Sequence, residues 1–211
     1  MSDPRDRKKE EKQMRKEGRL PPGQSLTQKF PVLHYGSVPD MDLTDWTFRV
    51  WGEVEEEVQW SWQAFQNLPH TEVKMDIHCV TRWSKFDTVW RGVSVRTLIE
   101  EGLIQPTPAA AYVIQHAKGG YTTNLPLDVV LQDNFLLATH VDGEPITPDH
   151  GYPLRGVVGQ IPDRDDLKTP YFWKGAKWLQ GLEFLTEDQE GFWEKAGYHN
   201  EGDVWKEQRR K

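Results

Sequence analysis

Short stretches in which apolar residues alternate with polar ones recur along this chain, and that period limits what it can fold into. In "WTFRVWG", Trp46, Phe48 and Val50 alternate with Thr47, Arg49 and Trp51, the pattern of a half-buried strand. "TEVKMDIHC" repeats it, with Val73, Met75, Ile77 and Cys79 on one face and Lys74, Asp76 and His78 on the other, because successive strand side chains point to opposite sides. Further strand candidates follow at "AAYVIQH", "FLLATHV", "LRGVV" and "KWLQGLEFL", and Asp142-Gly143 marks a turn between two of them. The helices are brief. "SWQAFQNL" has Ser61 as its cap, and "SVRTLIEEGLI" has Ser94 at its start and Gly102 near its end. The expected fold class is therefore α+β, a mixed, β-rich domain with short helices.

The 211 residues suit one domain with appendages. Residues 1–19 are almost wholly charged or polar and carry no apolar stripe, which reads as a solvated helix or disordered arm. Residues 20–211 form the expected domain. Its first stretch, Leu20 to Asp40, is rich in Pro and Gly and is expected to run extended over the surface. The last stretch, "GFWEKAGYHNEGDVWKEQRRK", keeps aromatics among its charges and is expected to pack along the body. A net charge of −7 argues against nucleic acid as a partner. No run approaches the roughly 20 apolar residues of a membrane span. The charged N-terminus has no apolar core of a secretory signal, so a cytoplasmic location is expected.

The chain has one cysteine, Cys79, at the end of a predicted strand and before a polar loop. It can be a buried small hydrophobe, a nucleophile or a ligand to a soft metal. His78 adjoins it but points to the opposite face, so it is poorly placed to take the thiol proton. The seven histidines offer no pair at the i, i+4 spacing of a helical zinc motif, and there is no second cysteine. A thiolate can still bind a metal whose other ligands come from a cofactor. Several motifs suit an anionic ligand. "DHGYPLR" carries His150 and Arg155 around Gly151 and Pro153. "WKGAKW" sets Gly175 and Ala176 between Lys174 and Lys177, as a phosphate held by backbone N–H groups and a cation would need. "FPVLHYG" places Leu33 and His34 in the extended segment, and "GYTTNLPL" offers Tyr121, Thr122, Thr123 and Asn124 as neutral hydrogen-bonding groups.

Together and in this order, "RLPPGQSLTQKFPVLHYG", "DIHCVTRWSKFDTVWRGV", "GYTTNLPL", "HGYPLR", "WKGAKWL" and "GFWEKAGYH" resemble the sulfite-oxidase-fold oxidoreductases that carry a molybdenum–pyranopterin (molybdopterin) cofactor. The likeness is to the small prokaryotic, sulfite oxidase-like members, and it covers nearly everything after the charged arm. The resemblance implies that Cys79 is the protein's thiolate ligand to molybdenum. It implies cofactor contacts from Leu33, His34, His150, Arg155, Gly175, Ala176 and Lys177, with Lys118 or Gly119 adding one upstream of "GYTTN". Arg82, Trp83 and Tyr121 fall on the substrate side with Cys79, as the catalytic group.

Two departures from the family bear on substrate. Dedicated sulfite oxidases surround the metal with several arginines, whereas Arg82 is the only one in the loop after Cys79. "CVTRWS" looks more like the loop of the methionine-sulfoxide-reducing members, which points to a sulfoxide-type or other small substrate rather than sulfite. The segment "GVVGQIPDRDDLKTPYFW" is longer than the family's usual connection and reads as a solvated surface insertion. No haem-attachment motif or dinucleotide fingerprint occurs, so a separate electron donor or acceptor protein is expected. A monomer is the expected state. The alternative from another class is a non-catalytic scaffold or binding domain that keeps the fold.

Overall fold

The computed structural model describes residues 4–211, so the first three residues of the charged arm lie outside the described residues. The chain runs α1 (Pro4–Lys16), β1 (Ser25–Leu26), β2 (Thr47–Gly52), β3 (Val58–Ser61), α2 (Trp62–Gln66), β4 (Thr71–His78), β5 (Trp83–Val93) and α3 (Val95–Glu100). It continues with β6 (Tyr112–Ala117), β7 (Thr122–Pro126), α4 (Leu127–Val130), β8 (Phe135–Val141), β9 (Glu144–Pro145), β10 (Arg155–Val158), β11 (Leu179–Leu185) and α5 (Phe192–Lys195). Strands dominate and most helices are brief, as the period-two pattern requires.

Two sheets result. One places β1, β5, β8 and β10 side by side, with β4 on β5 and β9 on β8; the other runs β3-β2-β11-β6-β7. The expected local signals operate here. Trp46, Phe48 and Val50 are buried while Arg49 is exposed. Ser61 Oγ accepts from Ala64 N, Ser94 Oγ accepts from Thr97 N, and Asp142-Gly143 turns β8 into β9. One apolar cluster joins Phe48, Phe65, Leu98, Val113, Leu137 and Phe184. A second joins Met75, Ile77, Trp90, Leu136, Val157 and Phe172 under the cysteine-bearing strand.

β4 departs from strict alternation. Asp76 and His78 are buried along with Met75 and Ile77, and the pairing with β5 shifts between Met75 and Ile77. The expected polar face is covered by chain from far away. Arg19 donates to both carboxylate oxygens of Asp76 at 2.8 and 2.7 Å. Gln160 pairs with His78 Nε2 at 3.2 Å and donates to Gly18 O. The charged arm is thus helical over α1 and tied to the body: Leu26 N donates to Glu11 and Arg15 to Gln24 O. The segment after β10 is only partly the solvated insertion expected. Its start is built in, through the Asp76–Gln160 backbone bridge and Asn134, which donates to Gly159 O and Lys168 O. Residues 161–168 stay half-buried or exposed. No helix among the described residues is long and apolar enough to cross a membrane.

Candidate active site

Cys79 follows β4 directly and opens a tight turn into β5. Its N–H donates to Trp83 O, and Arg82 N donates back to Cys79 O. Arg82 takes φ +74°, a left-handed conformation uncommon for a residue with a side chain. Distant groups hold the turn as well: Gln24 Nε2 donates to Cys79 O at 3.1 Å, and Arg209 Nη1 to Val80 O at 2.5 Å. Burial pushes the Cys79 thiol pKa up, and Thr81, whose hydroxyl lies 3.1 Å from Sγ, works against that. Cys79, Val80, Thr81 and Trp83 line a cavity of about 600 Å³.

One end of the cavity is cationic. Arg155, at the start of β10, is only 1% exposed. Its guanidinium donates to three carbonyls, of His150, Gly156 and Gly175, and stacks over Phe172 at 4.2 Å. No carboxylate among the described residues pairs with it. Burial therefore lowers its pKa, to about 9, so the site favours an anion that would restore the balance. Lys177 donates to Asp149 O, and burial next to Arg155 pushes its pKa down to about 7. His150 stacks on Phe30 at 3.8 Å between centroids, and burial with Lys177 and Arg155 lowers its pKa to about 4. Two lining donors or acceptors remain unmatched: His150 Nδ1 and the Trp83 indole N–H are buried without partners. Buried polar groups seldom stay unpaired, so both suit a polar ligand.

The turns that frame this end need glycine for steric reasons. Gly151 has φ +113°, and Gly175 sits so close to β10 that a Cβ would meet Gly156 O at 2.3 Å. Of the predicted cofactor loop, Gly175 and Lys177 line the cavity. Ala176 is fully buried and its N–H is taken by Gln115 Oε1 at 2.9 Å. That N–H is not free to hold a phosphate. Lys174, expected to flank the phosphate, points inward: its Nζ donates to buried Glu194 at 2.7 Å, to buried Asn124 Oδ1 and to Asn200 O.

The extended segment crosses the cavity as a strap. Leu33 and His34 line it, and His34 packs edge-on against Trp178 at 5.3 Å. Lys118, Gly119 and Tyr121 also line the cavity. The Tyr121 hydroxyl donates to Trp173 O at 3.1 Å, and burial holds its pKa well above the ordinary phenol value. Its neighbours in "GYTTN" behave differently. Thr123 and Asn124 turn away to Glu194, Asp188 and Asn200. Arg82 is exposed and does not line the cavity. Ten of the expected site residues thus share one cavity, while Arg82 and Ala176 stand outside its lining.

Sequence reasoning passed over the groups that fix this arrangement. Gln115 on β6 pins the cofactor loop by donating to Lys174 O while accepting from Ala176 N. Gln24 and Arg209 hold the cysteine turn from opposite termini. A polar residue on the buried face of a strand, as Gln115 is, was the one available signal; Gln24 and Arg209 carried none.

Among the described residues no group of three or more histidine, cysteine or carboxylate side chains could hold a metal. A lone buried thiol beside an uncompensated arginine, two unmatched polar atoms and a roomy cavity fits an anionic cofactor that brings its own metal ligands. Residues 35–193 match the family described as "Oxidoreductase molybdopterin binding domain". The chain belongs to this molybdopterin-binding oxidoreductase family, and its cofactor is molybdenum–molybdopterin. It is 47% identical over 193 residues to the uncharacterized oxidoreductase YuiH of Bacillus subtilis (strain 168), covering 91% of this chain and 92% of that one. It is 29% identical over 192 residues to the nitrate reductase [NADPH] of Emericella nidulans, covering 78% of this chain and 21% of that protein. The sulfane dehydrogenase SoxCD from Paracoccus pantotrophus has the same fold, with a TM-score of 0.60 at 17% identity over 73% of this chain and 41% of that one. The chain thus spans about a fifth of the nitrate reductase and under half of the sulfane dehydrogenase chain. Family membership with the cavity intact makes this an oxidoreductase rather than the scaffold considered above.

Proposed function

We propose that the enzyme performs two-electron oxygen-atom transfer on a small substrate, with Cys79 as the protein's thiolate ligand to molybdenum. The cofactor, when bound, supplies the oxygen transfer and the change of two electrons at the metal. The chain binds and orients it. Arg155, Lys177 and His150 would meet its phosphate end, with Gly175 allowing close approach. Leu33 and His34 of the strap would cover it, and Lys118 would add a further contact. Tyr121 and Trp83 would face the substrate beside Cys79, with the Trp83 indole N–H free to donate. Arg82 would steer charge from outside the cavity.

The observation that carries this reading is Arg155, a buried cation facing the cysteine cavity without a carboxylate partner. A phosphate would compensate it with charge-assisted hydrogen bonds. The same geometry disfavours sulfite as substrate, because among the described residues no arginine besides Arg155 lines the cavity. A sulfoxide-type or other small substrate fits better. Electrons would pass to a separate carrier, and a cytoplasmic monomer is the simplest setting.

Elemental analysis tests the assignment, using protein made in a host that synthesises molybdopterin. We expect near-stoichiometric molybdenum in the wild type and its loss in Cys79→Ser, with the melting transition of the cofactor-free fold retained. Full molybdenum occupancy in the variant would remove Cys79 as the ligand.

A further inference from the structure

Another part of the cavity wall has a different character. Tyr35 packs against Phe192 at 4.9 Å and Trp193 at 6.2 Å between ring centroids. Phe192 in turn meets Trp193 at 5.1 Å and Tyr121 at 5.9 Å, and Trp193 meets Tyr198 at 5.3 Å. All five rings line the same cavity as Cys79. They form a continuous aromatic wall, contributed by the strap, the residue before β7 and the C-terminal segment.

The wall is held in place from behind. Phe192 and Trp193 belong to α5, and the next residue, Glu194, is fully buried. Glu194 accepts from Lys174 Nζ at 2.7 Å, Thr123 Oγ1 at 3.0 Å and Trp173 Nε1 at 3.1 Å. A short helix anchored by an interior ion pair presents its aromatics with little freedom left to lose on binding. Tyr35 differs: it is 68% exposed although its ring touches the wall. It therefore has apolar area still to bury when a ligand arrives.

Charge decides which ligand the wall suits. No aspartate or glutamate lines the cavity among the described residues. Its lysines and arginine are Lys118, which is exposed, and Arg155 and Lys177 of the cationic cluster. A cationic ligand would meet only repulsion beyond the pull of the ring faces. A small oxyanion would be drawn to Arg155 and Lys177 rather than to aromatic surface. A flat, neutral ring gains offset or edge-on contacts from several aromatics at once.

We propose that the wall formed by Tyr35, Tyr121, Phe192 and Trp193 is a subsite for a neutral substrate bearing a planar aromatic group. This deepens the proposed function and rests on it for the step from ligand to substrate. The subsite holds the ring, leaving the substituent to be acted on directed toward Cys79.

Isothermal titration of molybdenum-replete protein tests this, with methyl phenyl sulfoxide as the neutral probe. Sulfite, nitrate and phenyltrimethylammonium serve as charged comparisons. We expect the neutral probe to bind, and Tyr35→Ala and Trp193→Ala each to weaken it about tenfold, the effect of removing one well-packed aromatic contact. Both variants should keep their molybdenum and their melting temperature. Failure of the neutral probe to bind replete wild type, tighter binding of any charged probe, or unchanged affinity in both variants would overturn the proposal. Loss of molybdenum from either variant would give the wall to the cofactor and overturn it as well. A wild type that never acquires molybdenum is read separately, by elemental analysis, and defeats the proposed function rather than the affinity of the wall for neutral rings.

Discussion

Cys79 and His78 are neighbours in sequence and opposites in environment. The thiol opens onto the cavity, while His78 is 1% exposed and sealed between Ser84 Oγ at 2.8 Å and Gln160 Oε1 at 3.2 Å. Burial drives the His78 pKa from 6.5 down to about 3, so the ring is neutral in the folded protein. In the unfolded chain it takes up a proton below its ordinary pKa near 6.5. The unfolded state then binds more protons, and stability present above pH 6.5 is lost as pH falls toward 3. At pH 5 the His78 share of that loss is about 2 kcal/mol. Urea unfolding at pH 7.5 and pH 5 measures it, and His78→Gln is expected to shrink the difference between the two by about that amount. An undiminished difference would place the pH sensitivity elsewhere, with His150 the next group to examine.

At the scale of elements, the turn that follows the N-terminal helix, together with Gln160, covers the otherwise polar face of β4. Arg19 is the joint. Its bidentate contact with the Asp76 carboxylate, which is 0% exposed, is reinforced by Asp87 N donating to the same carboxylate at 2.9 Å. Removing the guanidinium leaves a buried carboxylate with only that N–H, and losing one member of a buried pair costs about 3 kcal/mol or more. Arg19→Ala is therefore expected to lower unfolding stability by about 3 kcal/mol. The double variant with Asp76→Asn should lose less than the sum of the two single changes, because the charge left unpaired is gone. Additive losses in denaturant titrations would show that the pair is not coupled. The charge run of residues 1–19 looked solvated because the buried carboxylate that pairs with Arg19 lies 57 residues away. No local period reports such a contact.

The cavity is a property of the whole molecule. Its lining draws on the strap, the β4–β5 turn, the ends of β6 and β10, the loop before β11 and α5, so both sheets and the C-terminal segment must be in place before it exists. A ligand that binds only this folded arrangement stabilises it by mass action. Protein prepared in a host unable to make molybdopterin is accordingly expected to melt at lower temperature than molybdenum-replete protein, still in one transition. Calorimetry on the two preparations checks this, and equal melting temperatures would mean that the cofactor contributes nothing to the folded state.

What the sequence determined by itself is local or motif-bound. Alternation placed β2, β6, β8, β10 and β11, and serine caps placed α2 and α3, because backbone period and capping are settled within a few residues. The order of the cysteine, histidine–glycine and lysine–glycine motifs pointed to the cofactor and to part of the cavity lining. Only the tertiary structure decided how charges are apportioned. Lys174 and Lys177 stand three residues apart in one motif, yet one is neutralised by Glu194 in the interior and the other faces the cavity. Ala176 N–H, free in an isolated loop, is taken by Gln115. Which buried donor meets which acceptor depends on packing between segments far apart in the chain. That long-range pairing also brought the cationic groups and the aromatic wall into one cavity.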